Sequence, residues 1–171
     1  MLSRFIVCVA VFDTIGGVNV GAGGGGGSGG GASRGNSSSS ETGAFKIKLP
    51  ASIPVYGMFK LVIHIYEYGN RGNGYEIHCG GHLYPNYMHN RFQVQYGASN
   101  SPLTVRYGND GSTGCIWIGN LDTTWSYPQI WVSEFMIGYS NTSWTTWRSG
   151  WSITLDSASF GNSGAMDGPY T

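Results

Sequence analysis

From Phe45 onward, apolar and polar residues alternate with a period of two. In "MFKLVIHIYEY" (58–68), Phe59, Leu61, Ile63 and Ile65 fall on one face, with Lys60, Val62, His64, Tyr66 and Tyr68 on the other. Successive strand residues point to opposite faces, so this predicts a long strand buried on one side. "GNRGNG" (69–74) follows, built of residues that suit turns. "YEIHCGG" (75–81) then sets Tyr75, Ile77 and Cys79 against Glu76 and His78, and the two runs predict a hairpin. "RFQVQYG" (91–97) is read with Phe92, Val94 and Tyr96 inward and Arg91, Gln93 and Gln95 outward, and "LTVRYG" (103–108) with Leu103, Val105 and Tyr107 inward. "NDG" (109–111) signals a tight hairpin into "CIWIG" (115–119). "PQIWVSEFMIGY" (128–139) and "TWRSGWSITLD", ending at Asp156, complete the series that "FKIKL" (45–49) opens. No long window carries a helical period. About eight spaced strands with Gly- and Asn-rich turns predict an all-β, antiparallel sandwich or jelly-roll-like domain.

Composition divides the chain. Residues 21–43 are a Gly/Ser-rich, low-complexity tract with nothing to bury, which reads as a linker ahead of a domain at 44–160. The tract lacks the Gly-X-Y period and the prolines of a collagen helix. Residues 161–171 read as a tail, with Phe160 the last core contact. Residues 1–20 open with "MLSRFIVCVAVF", too short an apolar run to span a bilayer as a helix. It is read either as a signal-peptide core or as a short apolar strand of a larger assembly. Of the three cysteines, Cys8 is remote, and Cys79 and Cys115 are read as buried thiols or as a pair.

Charge narrows the function. Lys+Arg and Asp+Glu are nine each, and charged residues are only 11% of the chain. Such a chain has no electrostatic footprint for nucleic acid, and none for an anionic membrane. There is no G-x-S-x-G, HExxH or P-loop, and "GNRGNG" sits between strands rather than ahead of a helix. Glu67 and Glu76 are the acids most nearly opposed across a hairpin, and both read as solvated surface groups rather than a catalytic pair. No enzyme chemistry and no cofactor are expected. His64, His78 and His82 form a weak metal-ligand set; His78 and the adjacent Cys79 point to opposite faces and cannot easily share an ion. The N-x-S/T sequons at Asn36 and Asn141 read as chance in so Ser/Thr-rich a chain.

The aromatic residues are the positive signal. Trp131 and Trp151 lie in apolar strands and read as core. Trp125, Trp144 and Trp147 lie in or beside the polar loops "LDTTWSYP" and "NTSWTTWRSG". Indole faces ringed by Asp122, Thr123, Thr124, Asn141 and Thr142 offer stacking area with directional hydrogen bonds, as sugar-binding surfaces do. The face carrying Val62, Tyr66 and Tyr68 leaves a monomer with an exposed apolar patch, which points to self-association.

"FKIKLPASIP", "MFKLVIHIYEY", "GYEIHCGGHLYP", "LTVRYGNDGSTGCIWIG" and "WSYPQIWVSEFMIGY" together resemble the C-terminal tip domain of bacteriophage tail-fibre proteins. The likeness rests on the Lys46–Pro50 entry strand, the Phe59–Tyr66 strand, the Gly81–Tyr84 strand end and the late Ile118–Gly119 hairpin, over residues 43 to 159. The resemblance implies a homotrimeric receptor-binding tip on a virion tail fibre or other extracellular appendage, holding a cell-surface glycan or surface polymer without turnover. The competing expectation is a structural cap, trimerisation module or filament subunit with no external ligand.

Overall fold

The structure is a computed structural model that describes residues 32–36, 40–52, 57–68, 74–84, 87–97, 102–111, 113–138 and 150–160. The strands, in chain order, are β1 (Ser33–Gly35), β2 (Glu41–Thr42), β3 (Ala44–Ser52), β4 (Gly57–Tyr66), β5 (Gly74–Tyr84), β6 (Tyr87–Gly97), β7 (Val105–Asn109), β8 (Thr113–Ile118), β9 (Thr124–Trp125), β10 (Gln129–Gly138) and β11 (Ser152–Asp156). They form a five-stranded sheet ordered β1-β10-β4-β5-β6, a four-stranded sheet ordered β11-β3-β8-β7, and a β2-β9 ribbon. Every pairing is antiparallel, so the chain adopts the all-β class that its alternation predicts. Among the described residues no helix is long and apolar enough to cross a membrane.

The core lies between the two large sheets. Phe59, Leu61, Ile63 and Ile65 of β4 and Ile77 and Cys79 of β5 meet Phe45, Ile47 and Leu49 of β3 and Val105, Tyr107, Ile116 and Ile118 of β7 and β8. The phase read for β4 and β5 is the one observed. Burial of such side chains stabilises by about 1.5–3 kcal/mol each, so a one-residue slip in β4 is strongly disfavoured.

Three expectations need correction. The first is the boundary at residue 44, because the end of the stretch read as linker is part of the fold. β1 adds to the edge of β10, β2 pairs with β9, and the Arg34 guanidinium clamps Glu41 through two hydrogen bonds of 2.9 and 2.7 Å. That clamp holds the Glu41 carboxyl below its ordinary range. Strands of two or three polar residues carry no readable period.

The second concerns β6, whose phase is inverted. Phe92, Val94 and Tyr96 face outward and are 41%, 46% and 57% exposed, while Arg91, Gln93 and Gln95 are half-buried. β6 is a sheet edge, and its inward amides have work there. Gln95 donates to the Leu103 carbonyl at 2.5 Å and accepts from the Leu103 N–H at 2.9 Å, pairing with that backbone as another strand would. The Tyr107 hydroxyl donates to the Phe92 carbonyl at 2.6 Å. These contacts close the side of the sandwich on which β6 and β7 meet.

The third is Glu67, which is buried rather than solvated and accepts from the Ser126 N–H at 3.2 Å. Of the two readings for the cysteines, Cys79 and Cys115 are free, buried thiols. Cys79 lies between the sheets. Cys115 lies on the outer side of the four-stranded sheet with Ala44 and Trp117.

That outer side is sealed by the chain itself. The Trp117 ring is fully buried, donates from Nε1 to Asp156 at 2.8 Å, and meets Phe160 edge-on at 6.2 Å. Arg106 lies over Phe160, Lys46 over Trp117, and Lys46 and Lys48 both reach Asp110 at 3.3 Å.

A cross-strand cleft on the outer face of the larger sheet

The outer face of the five-stranded sheet carries the even-numbered side chains of β4. Register sets their neighbours. One rung runs Trp131 (β10), His64 (β4), Glu76 (β5), Tyr96 (β6). The rung on one side runs Gln129, Tyr66, Gly74. On the other side runs Glu134, Val62, His78, Val94, then Met136, Lys60, Gly80, Phe92. The face therefore has one half carrying Trp131, His64, Tyr66 and Tyr96, and a mixed half in which Val62, Val94, Phe92 and Met136 stand among His78, Glu134 and Lys60.

A shallow cleft of about 460 Å³ opens on the aromatic half, lined by His64, Tyr66, Glu76, Tyr96 and Trp131 with Gly74 and Gly97 among its walls. Gly74 carries no side chain where the Tyr66 rung crosses β5, which leaves the floor low. Gly97 has a φ of 147°, and a β-carbon there would run into the Gly74 carbonyl, so the close approach of β6 to β5 requires glycine.

The polar groups of the cleft are tied together. His78 Nε2 and Glu76 Oε1 are hydrogen-bonded at 2.5 Å, and His64 Nδ1 lies 4.0 Å from Glu76 Oε2. Those imidazoles, His78 first, hold the Glu76 carboxyl below its ordinary range, so it is ionised at neutral pH. His64 stacks on Trp131 at 5.2 Å and 15°, and His78 meets Tyr96 edge-on at 5.4 Å. Trp131 is thus braced by His64 on its own rung, and Tyr96 by His78 on the next. Tyr66 and Tyr96 remain about half exposed, at 49% and 57%. Beyond Tyr66, Tyr68 and Tyr127 form a further exposed pair, edge-on at 6.0 Å.

Of the residues expected to bind a ligand, Trp125, Asp122, Thr123 and Thr124 do not line this cleft. Trp125 is fully buried: its ring packs on Phe45 at 4.6 Å and its Nε1 donates to the Gly43 carbonyl at 2.8 Å. The polar loop around it folds as a turn, with Thr123 N–H donating to the Asn120 carbonyl and Thr123 Oγ1 accepting from Asn120 N–H, and the following β9 strand turns the indole inward. Asp122 and Thr124 are exposed and Thr123 half-buried, but the indole they were to surround is beneath them. Trp144, Trp147, Asn141 and Thr142 lie outside the described residues.

His64 and His78 converge on Glu76, but His82 pairs with Met58 at the other end of the sheet. Among the described residues no group of three His, Cys, Asp or Glu is placed to hold a metal. Glu67 and Glu76 do not face each other, since Glu76 is opposite His64 and Glu67 lies past the last β4–β5 pair.

Sequence reasoning missed Trp131 and Tyr96 as surface groups. Trp131 sits in an apolar run, yet only Ile130 and Val132 on either side of it are buried. The usable signal was the count outward from the "GNRGNG" turn, which sets His64 against Glu76. Compared with family models, with curated proteins and with solved structures, the chain matches none.

Proposed function

We propose that the chain is an adhesive, receptor-binding module that holds a cell-surface glycan or similar polymer without turnover, as at the tip of a fibre. The observation that carries this reading is the Trp131–His64–Glu76–Tyr96 rung, an aromatic and hydrogen-bonding row open to solvent on a rigid sheet. Braced rings supply contact area at low entropic cost, and the carboxylate and imidazoles supply direction. Glu76 is the one carboxylate lining the cleft among the described residues, whereas glycoside hydrolysis by the usual route needs two flanking acids. The binding site in this reading is the sheet face rather than the loop tryptophans.

The test is binding of the purified protein to cells or immobilised surface polysaccharide, with recovered ligand sized for cleavage. Trp131→Ala and Tyr96→Ala should each lose most of the binding while keeping the parent's unfolding midpoint within about 1 kcal/mol. Parent-like binding by both variants would move the site elsewhere, and shortened ligand would make the module an enzyme.

A second reading, a structural module that assembles with its own copies, is favoured by the exposed apolar side chains on the other half of the same face. Met58 and Met136 are 55% and 65% exposed there, beside Phe92 and Val94. In that case light scattering should give a trimer or larger, and Met136→Lys should shift it toward monomer.

A further inference from the structure

The cleft's shape and charge narrow the ligand class; this inference rests on the proposed binding function. We infer that the site takes an uncharged oligosaccharide chain laid across the strands, in preference to acidic sugars, single sugars or organic cations.

The first observation is length. Trp131 and Tyr96 stand on strands separated by β4 and β5. Three inter-strand spacings put them about 14 Å apart, the span of roughly three pyranose rings end to end. A single sugar meets only one end of such a row. Gly74 keeps the neighbouring rung low, so the chain lies along the row.

Charge is the second. Glu76 is the one formal charge lining the cleft among the described residues, and no lysine or arginine lines it. Lys60 is two rungs away, opposite Gly80. The sites that take carboxylate or phosphate groups are furnished with arginine or lysine. Here an acidic sugar would set its anion beside the ionised Glu76, with no lysine or arginine among the described residues lining the cleft to offset it.

The third is the arrangement of the rings. Recognition of a quaternary ammonium group uses rings that converge on one point. In this cleft Trp131 and Tyr96 are held apart at the ends of a row, one against His64 and the other against His78. Glu76 already has both oxygens turned toward imidazoles, which reduces its pull on a ligand cation. An imidazole and a carboxylate set between two aromatic rings match the hydroxyl-edged, apolar-faced ribbon of a neutral glycan.

The experiment is calorimetric titration of the full chain with neutral hexasaccharides (gluco-, manno- and N-acetylglucosamine-based, in α and β linkage) and their monosaccharides. Oligogalacturonate, sialyllactose and choline complete the panel. At least one neutral hexasaccharide should bind about tenfold or more tighter than its monosaccharide and than either acidic sugar. Trp131→Ala and Tyr96→Ala should each weaken it about tenfold or more, and Glu76→Gln should narrow the gap between neutral and acidic sugars. Urea midpoints on each variant separate lost binding from lost folding, and Tyr96, more than half exposed, serves where Trp131→Ala is unstable. Tighter binding of an acidic sugar, a monosaccharide or choline, abolished by the same variants, overturns the neutral-chain inference and leaves the adhesive reading standing. Failure of every sugar to bind, or binding untouched by both variants, overturns both.

Discussion

The two sheets have outer faces of opposite character, although both are strands of the same alternating type. On the four-stranded sheet the outward side chains Cys115 and Trp117 are fully buried, because Phe160, Arg106, Lys46 and Asp156 close over them. On the five-stranded sheet Met58, Tyr66, Phe92, Val94, Tyr96 and Met136 are left in solvent. A tryptophan on each face makes the contrast concrete: Trp117 has its N–H satisfied and its ring enclosed, whereas Trp131 is half-buried against His64. Outward position in a strand does not decide exposure. What decides it is whether the chain returns to cover the face, and among the described residues it returns to only one.

The largest way to break this contrast is to delete each indole. Trp117→Ala should cost about 3–5 kcal/mol, since it empties an enclosed site and leaves Asp156 without its donor. Trp131→Ala should cost about 1 kcal/mol or less, because its ring is partly in water already. Urea unfolding of the two variants checks this, and equal costs would mean that the larger sheet's face is covered too.

A smaller effect follows from the thiols. Burial pushes Cys79 and Cys115 up to about 12, with the Asp110 carboxylate adding to the rise at Cys115. Burial, and then Cys79, raise Tyr107 as well. The fold favours the protonated form of all three. Their stabilisation is therefore complete below about pH 9, where unfolded thiols hold their protons, and falls as pH rises from there toward 12. At pH 10 the loss should be about 1 kcal/mol per thiol relative to pH 7. A flat urea midpoint over that interval would count against burial of both. Phe160→Ala sharpens the test, since it should speed labelling of Cys115 by a thiol reagent and leave Cys79 protected.

The smallest effect is expected on the open face. Met58→Ser and Met136→Ser should each change monomer stability by less than about 0.5 kcal/mol. A larger loss at low protein concentration would show that these side chains are packed in a way the monomer does not account for.

The alternation made eight strands legible, and with them the inner core, because period-two burial is written into each run. It did not fix the phase of β6. Phe92, Val94 and Tyr96 have the composition of an inner face, but Gln95 finds a backbone partner in Leu103, beyond the end of its own strand. β1, β2 and β9 were too short to show a period. Trp125 was misread for a related reason: its flanking polar residues are consumed by a turn, and its burial depends on Gly43 and Phe45, distant in sequence. In each case the missing information was a partner outside the run itself, which local patterning does not contain.

The pairing of Ser33 with Trp131, and of Phe45 with both Ile118 and Leu155, has a consequence for how the molecule assembles in time. Only the β4–β5–β6 meander and the β7–β8 hairpin join strands adjacent in the chain. β3 emerges from the ribosome before either of its neighbours exists, and it cannot complete its ladder until β11 follows. Such non-local closure places refolding in the slow range, about milliseconds to seconds, rather than the microseconds open to local topologies. Through that interval the edge of β3 that β11 pairs with is open, so the nascent chain is exposed to mispairing there until β11 is made.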